Sequence, residues 1–133
     1  MARSPEPLHA IVFPYPTQGH ITPMMQFAKN LASKGVIVTF VTTHHRHQQI
    51  TKSHAHSAEQ DDPIEREARN LGLDIRSAQI SDGLPLDFDR SARLSDFVRS
   101  VDNMAGELER FLQNLNKTGP AISCVIAASS LPW

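Results

Sequence analysis

The sequence predicts an α/β chain built as an open parallel sheet with helices on both faces. Three observations carry that expectation. Short runs rich in β-branched and apolar residues recur four times, at HAIVF, VIVTFVTT, LDIRSAQI and AISCVIA, and near-continuous apolar runs are what strands buried on both faces look like. Between these runs the hydrophobic period changes to that of a helix. The first strand, helix and strand together occupy about 35 residues, the size of a βαβ unit, whose crossover is right-handed in nearly all known cases.

HAIVF, from His9 to Phe13, reads as the first buried strand and is closed by Pro14 and Pro16. From Ile21 onward the spacing predicts a helix: Met24, Phe27 and Leu31 share a face, Met25, Ala28 and Ala32 widen it, and Lys29, Asn30 and Lys34 lie away from it. Gly35 stops this helix as a left-handed cap. Val36 to Thr43 is the second strand, rich in β-branched residues. The polar segment HHRHQQITKSHAHSAEQDD reads as a short helix running into a surface loop. Pro63 opens a further helix, IEREARNL, which Gly72 ends.

Leu73 to Ile80 alternates enough to be the third strand, and Asp82-Gly83 with Pro85 marks SDGLPLDFDRS as a loop. Phe97, Val101, Met104, Leu108, Phe111 or Leu112, and Leu115 then recur at spacings of four and three, which predicts one amphipathic helix packed on the core. Gly119-Pro120 ends it before the fourth strand. The order β-α-β-α-β-α-β is Rossmann-like, and in such sheets ligands collect at the carboxyl ends of strands. Three segments lie there: Pro14 to His20, Thr42 to His47, and Ala127 to Trp133.

A chain of 133 residues, 40% hydrophobic and 20% charged, is sized and composed for one globular domain. Thirteen Lys and Arg against fourteen Asp and Glu leave a net charge of -1, which offers no basic field to nucleic acid or anionic lipid. The single cysteine, Cys124, cannot form an internal disulfide and sits in an apolar run, where it reads as a small buried thiol in a reducing compartment. The N-terminus has no secretory apolar core, and no run approaches the ~18 apolar residues of a membrane span. A soluble, cytoplasmic protein without a membrane span is expected. ISCVIAASSLPW reads as a strand and exit turn with nothing to cover them, so the chain is expected to be the front part of a longer protein.

The stretch FPYPTQGHITPM places His20 directly after Gly19, between a strand end and the first turn of a helix. Such a position faces the rim of a sheet, where a histidine meets ligand more readily than core. Gly19 leaves the backbone approachable, and free N–H groups of a first helical turn favour anionic or oxyanionic groups. Neither G-x-G-x-x-G nor a P-loop occurs, so dinucleotide or P-loop phosphate binding has no support. His44, His45, His47, His54 and His56 are irregularly spaced with no cysteine beside them, and no metal site is expected. Asp87 and Asp89 read as solvated turn acids rather than the paired carboxylates of a glycosidase.

The blocks FPYPTQGHITPMMQFAKNLASKG, VTFVTT, ISDGLPLDFDRS and SCVIAASSLPW, spread over the whole chain, resemble the N-terminal half of the plant UDP-sugar-dependent glycosyltransferases that modify small molecules. The resemblance implies that residues 1–133 are the acceptor-side, Rossmann-like domain of a GT-B fold, with a C-terminal UDP-sugar-binding domain outside this sequence. It also implies a place in plant secondary metabolism: sugar, with glucose expected, passes with inversion from a UDP-sugar co-substrate to a hydroxyl of a flavonoid or other phenol. No cofactor is implied beyond that co-substrate.

In the family the histidine after the glycine is the general base, a role the resemblance carries onto His20; by position, Tyr15, Gln18 and Gly19 are expected as its substrate-facing neighbours and Phe13 on the same rim. An aspartate in a C-x-x-A-D type run usually holds that histidine, but this sequence reads Cys124-Val125-Ile126-Ala127-Ala128. A methyl group cannot accept a hydrogen bond, so Ala128 implies a slow or inactive site unless Ser129, Ser130 or water substitutes. Two other readings stand beside this one. A non-catalytic remnant that binds an acceptor without transfer is favoured by Ala128 and the missing donor box. Another Rossmann-like enzyme or a flavodoxin-like receiver is favoured by strand order and opposed by the absent phosphate loop.

Overall fold

β1 (His9–Phe13) is the strand on which the rest of the molecule is hung. In the computed structural model, which describes residues 7–16, 18–53 and 62–127, every residue of β1 is buried. The chain continues through α1 (Gln18–Ser33), β2 (Ile37–Thr43), α2 (His44–Ser53), α3 (Pro63–Asn70), β3 (Ile75–Ile80), α4 (Leu94–Asp102), α5 (Ala105–Thr118) and β4 (Cys124–Ala127). The sheet order is β3-β2-β1-β4, with every neighbouring pair parallel.

Alternation along β1 sorts the two cores. Ile11 and Phe13 join Val41, Ile80 and the α4–α5 residues Phe97, Val101, Met104 and Leu108 on one face. Val12 joins Val38, Phe40 and the α1 and α3 residues Ile21, Ala28, Ile64 and Ala68 on the other. The expected α/β sheet with helices on both faces is the observed one. Phe13 belongs to the interior, fully buried, and not to the rim where the sequence reading put it; its side chain points down the α4–α5 face rather than out of the strand end.

Two helix stops show how local sequence sets these layers. After α1, Gly35 takes φ +87°, its N–H bonds the Ala32 carbonyl at 3.0 Å, and the Val36 N–H reaches Leu31 at 3.3 Å. After α3, Gly72 takes φ +71° and repeats the pattern onto Arg69 and Ala68. Both are left-handed terminations that a side chain would strain.

The stripe from Phe97 to Leu115 forms two helices, not one. Its apolar period runs unbroken because Phe97, Val101, Met104 and Leu108 all enter one core, which is why spacing alone hides the break. The chain tightens at Asn103 and Met104, where the Met104 N–H bonds Val101 at 3.1 Å, and Asn103 and Gly106 are weak helix formers. α1 starts three residues earlier than Ile21, which brings Gly19 and His20 into its first turn. Cys124 is exposed rather than buried. It lies on β4, the edge strand among the described residues, where three of four residues are exposed.

A buried histidine stitches the amino ends of the strands. His9 is 0% exposed, and its Nδ1 lies 3.0 Å from the Pro120 carbonyl while Nε2 lies 2.7 Å from Thr39 Oγ1. A carbonyl only accepts, so Nδ1 carries the hydrogen and Nε2 accepts from the hydroxyl. The His9 backbone exchanges further bonds with Ser123, donating to its Oγ at 3.0 Å and accepting from its N–H at 2.8 Å. One side chain thus ties β1 to β2 and to the turn before β4.

Candidate active site

Strand order fixes where a ligand site belongs. The chain builds outward from β1 to β2 and β3, then crosses back to place β4 on the other side of β1. The order reverses between β1 and β4, and in open α/β sheets that switch point leaves a crevice at the carboxyl ends of the strands. Phe13 pairs in register with Ala127, so the two strands end level. Of the three segments expected at the rim, the one after β1 lies within the described residues apart from Thr17. Ala128 and the residues after it lie outside them.

His20 is exposed in the first turn of α1, directly beyond the end of β1. Tyr15 is half-buried, and its ring centroid lies 5.4 Å from that of the His20 imidazole at a 50° tilt. The Tyr15 ring also meets Phe97 of α4 edge-on, 6.3 Å between centroids and 89° between planes. Burial, and then the nearby Asp102 carboxylate, push the Tyr15 phenol above its ordinary value, so it stays protonated. Gly19 is exposed, and among the described residues, its chain neighbours and own helical backbone aside, a Cβ there would meet no atom within 4 Å. Pro23 lies inside α1 and has no N–H, so the Gly19 carbonyl lacks its usual helical donor. Gln18 opens α1.

The second rim segment, after β2, holds three histidines and Arg46. Thr43 caps α2, its Oγ1 accepting from the Arg46 N–H at 3.2 Å. His45 lines a cavity of about 230 Å³ together with His44, Ser81, Asp82, Leu84 and Leu86. Burial first, then the charges of Arg90 and Arg46, hold the His45 imidazole below its usual range, against a weaker pull from Asp82. Burial and Arg90 likewise lower Arg46, whose Nε has no hydrogen-bond partner among the described residues, as is true of Thr42 Oγ1.

The SDGLPLDFDRS loop is organised by a pair that sequence reading missed. Arg90 and Asp82 are both buried, and the guanidinium donates to Asp82 at 2.9 and 3.1 Å and to the Phe88 carbonyl at 3.0 Å. The Leu84 N–H adds a bond to Asp82 Oδ1 at 3.0 Å. Asp82 announced itself only as a turn residue, and nothing in a loop's spacing points to a partner eight positions on. Asp89 accepts from the Ser91 and Ala92 N–H groups at 3.1 and 3.0 Å, and Asp87 is exposed, so neither forms a facing pair of carboxylates.

The histidines after β2 go separate ways. His44 and His45 line the cavity, while His47 pairs with Asp62, the N-cap of α3. Asp62 also accepts from the Ile64 and Glu65 N–H groups at 2.8 and 3.3 Å. Burial alone would raise its pKa, but hydrogen bonds to His47 and Ser77, the His47 charge and the Glu65 N–H outweigh burial and hold it below the usual carboxylate range. His54 and His56 lie outside the described residues. Among the described residues no three His, Cys, Asp or Glu side chains form a group that could hold a metal ion, and no helix is long and apolar enough to cross a membrane.

Comparison with known proteins agrees with this layout. Residues 6–80 match the family model for the glycosyltransferase N-terminal domain. UDP-glycosyltransferase 86A2 of Arabidopsis thaliana is 38% identical over 128 residues, which cover 95% of this chain and 25% of that protein. The structure of Os79 of O. sativa in complex with UDP is similar at a TM-score of 0.59 and 27% identity, over 95% of this chain and 25% of that one. Glycyrrhiza uralensis UGT73P12, complexed with glycyrrhetinic acid 3-O-monoglucuronide, shares the fold at a TM-score of 0.62 and 18% identity, over 92% of this chain and 24% of its own. The chain spans about a quarter of the length of the curated relatives it matches. It belongs to the plant UDP-glycosyltransferases, and the region it matches is their N-terminal glycosyltransferase domain.

Proposed function

We propose that this chain is the acceptor-binding part of an inverting UDP-glycosyltransferase in which His20 is the general base. The observation that carries the reading is the exposed imidazole in the first turn of α1, at the carboxyl end of the central strand and beside the switch point of the sheet. The acceptor is a small hydroxylated molecule, a flavonoid or other phenol, and the donor is UDP-glucose. His20 takes the proton from the acceptor hydroxyl as that oxygen bonds to the anomeric carbon. The bond from that carbon to the phosphate oxygen breaks on the opposite side, and UDP leaves. An imidazole can both take up and release a proton in the physiological range and so suits this work, and a positioned base contributes about 10²- to 10⁴-fold. Tyr15, Gln18 and Gly19 border the acceptor in this reading.

The donor pocket requires a second domain, so the 133 residues alone transfer no sugar. The test is to join the chain to the UDP-sugar-binding domain of a relative and to assay glucose transfer from UDP-glucose to quercetin. Transfer by the fusion and none by the isolated chain is the expected result; transfer by the isolated chain overturns the division of labour. A second reading, acceptor binding without transfer, is favoured by one residue, Ala128, where the family resemblance expects an aspartate. Ala128→Asp in the fusion separates the two readings. A gain in turnover supports an impaired enzyme, and quercetin binding with no turnover in either form supports the non-catalytic reading.

A further inference from the structure

The aromatic contact at the rim assigns Tyr15 a task other than touching substrate. We propose that Tyr15 is a positioning residue for His20, its ring in contact with both the imidazole and Phe97 so that the base keeps one orientation toward the crevice. The inference rests on the reading of His20 as the base.

Three observations support it. The Tyr15 ring contacts both neighbours, the imidazole at 5.4 Å and the Phe97 ring at 6.3 Å in an edge-on arrangement, within the range and geometry of favourable aromatic pairs. Phe97 is itself buried in the α4–α5 core, so the Tyr15 ring rests against a fixed neighbour. Tyr15 stands between Pro14 and Pro16, which restrict its backbone and that of its neighbours, so the ring is carried on a stiff segment.

No carboxylate occurs from Ala127 to Trp133, so the acidic partner that the family resemblance expects after β4 is not supplied by that stretch. A raised phenol pKa keeps Tyr15 a neutral ring at working pH. It therefore acts on the imidazole through packing and ring electrostatics rather than through an ion pair. The two roles differ in consequence: a carboxylate both orients the imidazole and stabilises its protonated form, whereas a tyrosine ring does mainly the first.

The experiment is NMR on the 133-residue chain carrying labelled histidine and aromatic residues, compared with Tyr15→Phe and Tyr15→Leu. Wild type and Tyr15→Phe are expected to show nuclear Overhauser contacts between ring 15 and the His20 imidazole, with Hα–Hβ couplings of His20 that report one side-chain rotamer. Tyr15→Leu is expected to lose the ring-current displacement of the imidazole protons and to show averaged couplings. Unchanged couplings in Tyr15→Leu, with the β1 and β2 resonances intact, overturn the proposal. Should Tyr15→Leu fail to fold, absence of the ring-to-ring contact in wild type overturns it by itself. Titrating wild type with quercetin reads the base assignment separately: His20 resonances that do not move count against His20 meeting an acceptor, whatever the Tyr15 contact shows.

Discussion

Two histidines bracket β1, and they differ in almost every physical respect. His9, at the amino end, is fully buried with both ring nitrogens hydrogen-bonded, one to Pro120 and one to Thr39. His20, beyond the carboxyl end, is exposed on a helix start, beside a glycine that is also exposed. A buried polar group whose bonds are all made contributes to stability and is removed from chemistry, because desolvation and fixed partners hold it. An exposed one at a switch point contributes little to stability and is available to a ligand. The same residue type is therefore framework at one end of the strand and, in the proposed function, chemistry at the other.

That contrast is sharpened by substitutions whose effects on stability should fall in a definite order. Arg90→Ala leaves the buried Asp82 carboxylate without its cation, and removal of one member of a buried pair typically costs about 3–5 kcal/mol; urea denaturation is expected to show the largest shift here. His9→Leu keeps the volume but leaves the Pro120 carbonyl and Thr39 hydroxyl unpaired, an expected loss of about 2–3 kcal/mol at roughly 1 kcal/mol or more for each orphaned group.

Asp62→Ala removes the α3 cap and the His47 partner, with an expected cost near 1 kcal/mol from the cap. Its pH dependence has a defined sign. The folded Asp62 pKa is depressed, so its contribution is fully present above the unfolded value of about 3.9 and disappears as pH falls through the lower folded value. The gap between wild type and Asp62→Ala, measured by urea midpoints, is expected to be constant at neutral pH and to narrow below about pH 4. A gap that widens on acidification contradicts the assignment. His20→Ala completes the series, with an expected stability change well below that of His9→Leu because the side chain is exposed. A loss comparable to that of His9→Leu would place His20 in the framework.

The sheet was legible because strands buried on both faces write their burial into sequence: HAIVF and VIVTFVTT need no tertiary information to be read, and Gly35 and Gly72 mark stops that only a left-handed turn explains. The break between α4 and α5 was not legible, since Met104 keeps the apolar period through it. Cys124 misled for a related reason. An apolar run gives no sign that its strand lies at an edge of the described sheet, a property of strand order rather than composition.

At the rim, the place of His20 followed from the strand-to-helix junction. The Tyr15–Phe97 contact and the Asp82–Arg90 pair did not, because each joins parts of the chain that no local pattern relates. The histidine cluster after β2 shows the same limit. Spacing argued against a metal site, but only coordinates reveal that His47 turns to the α3 cap while His45 turns to the cavity.

The central claim is that His20 performs chemistry and not structure. It is tested most directly by glucose transfer to quercetin in a fusion of this chain with a relative's UDP-sugar-binding domain, wild type against His20→Ala, with quercetin affinity measured in parallel. The account predicts a fall in turnover of about 10²- to 10⁴-fold with affinity and urea midpoint preserved. Turnover that survives the substitution in a folded, quercetin-binding protein would contradict it.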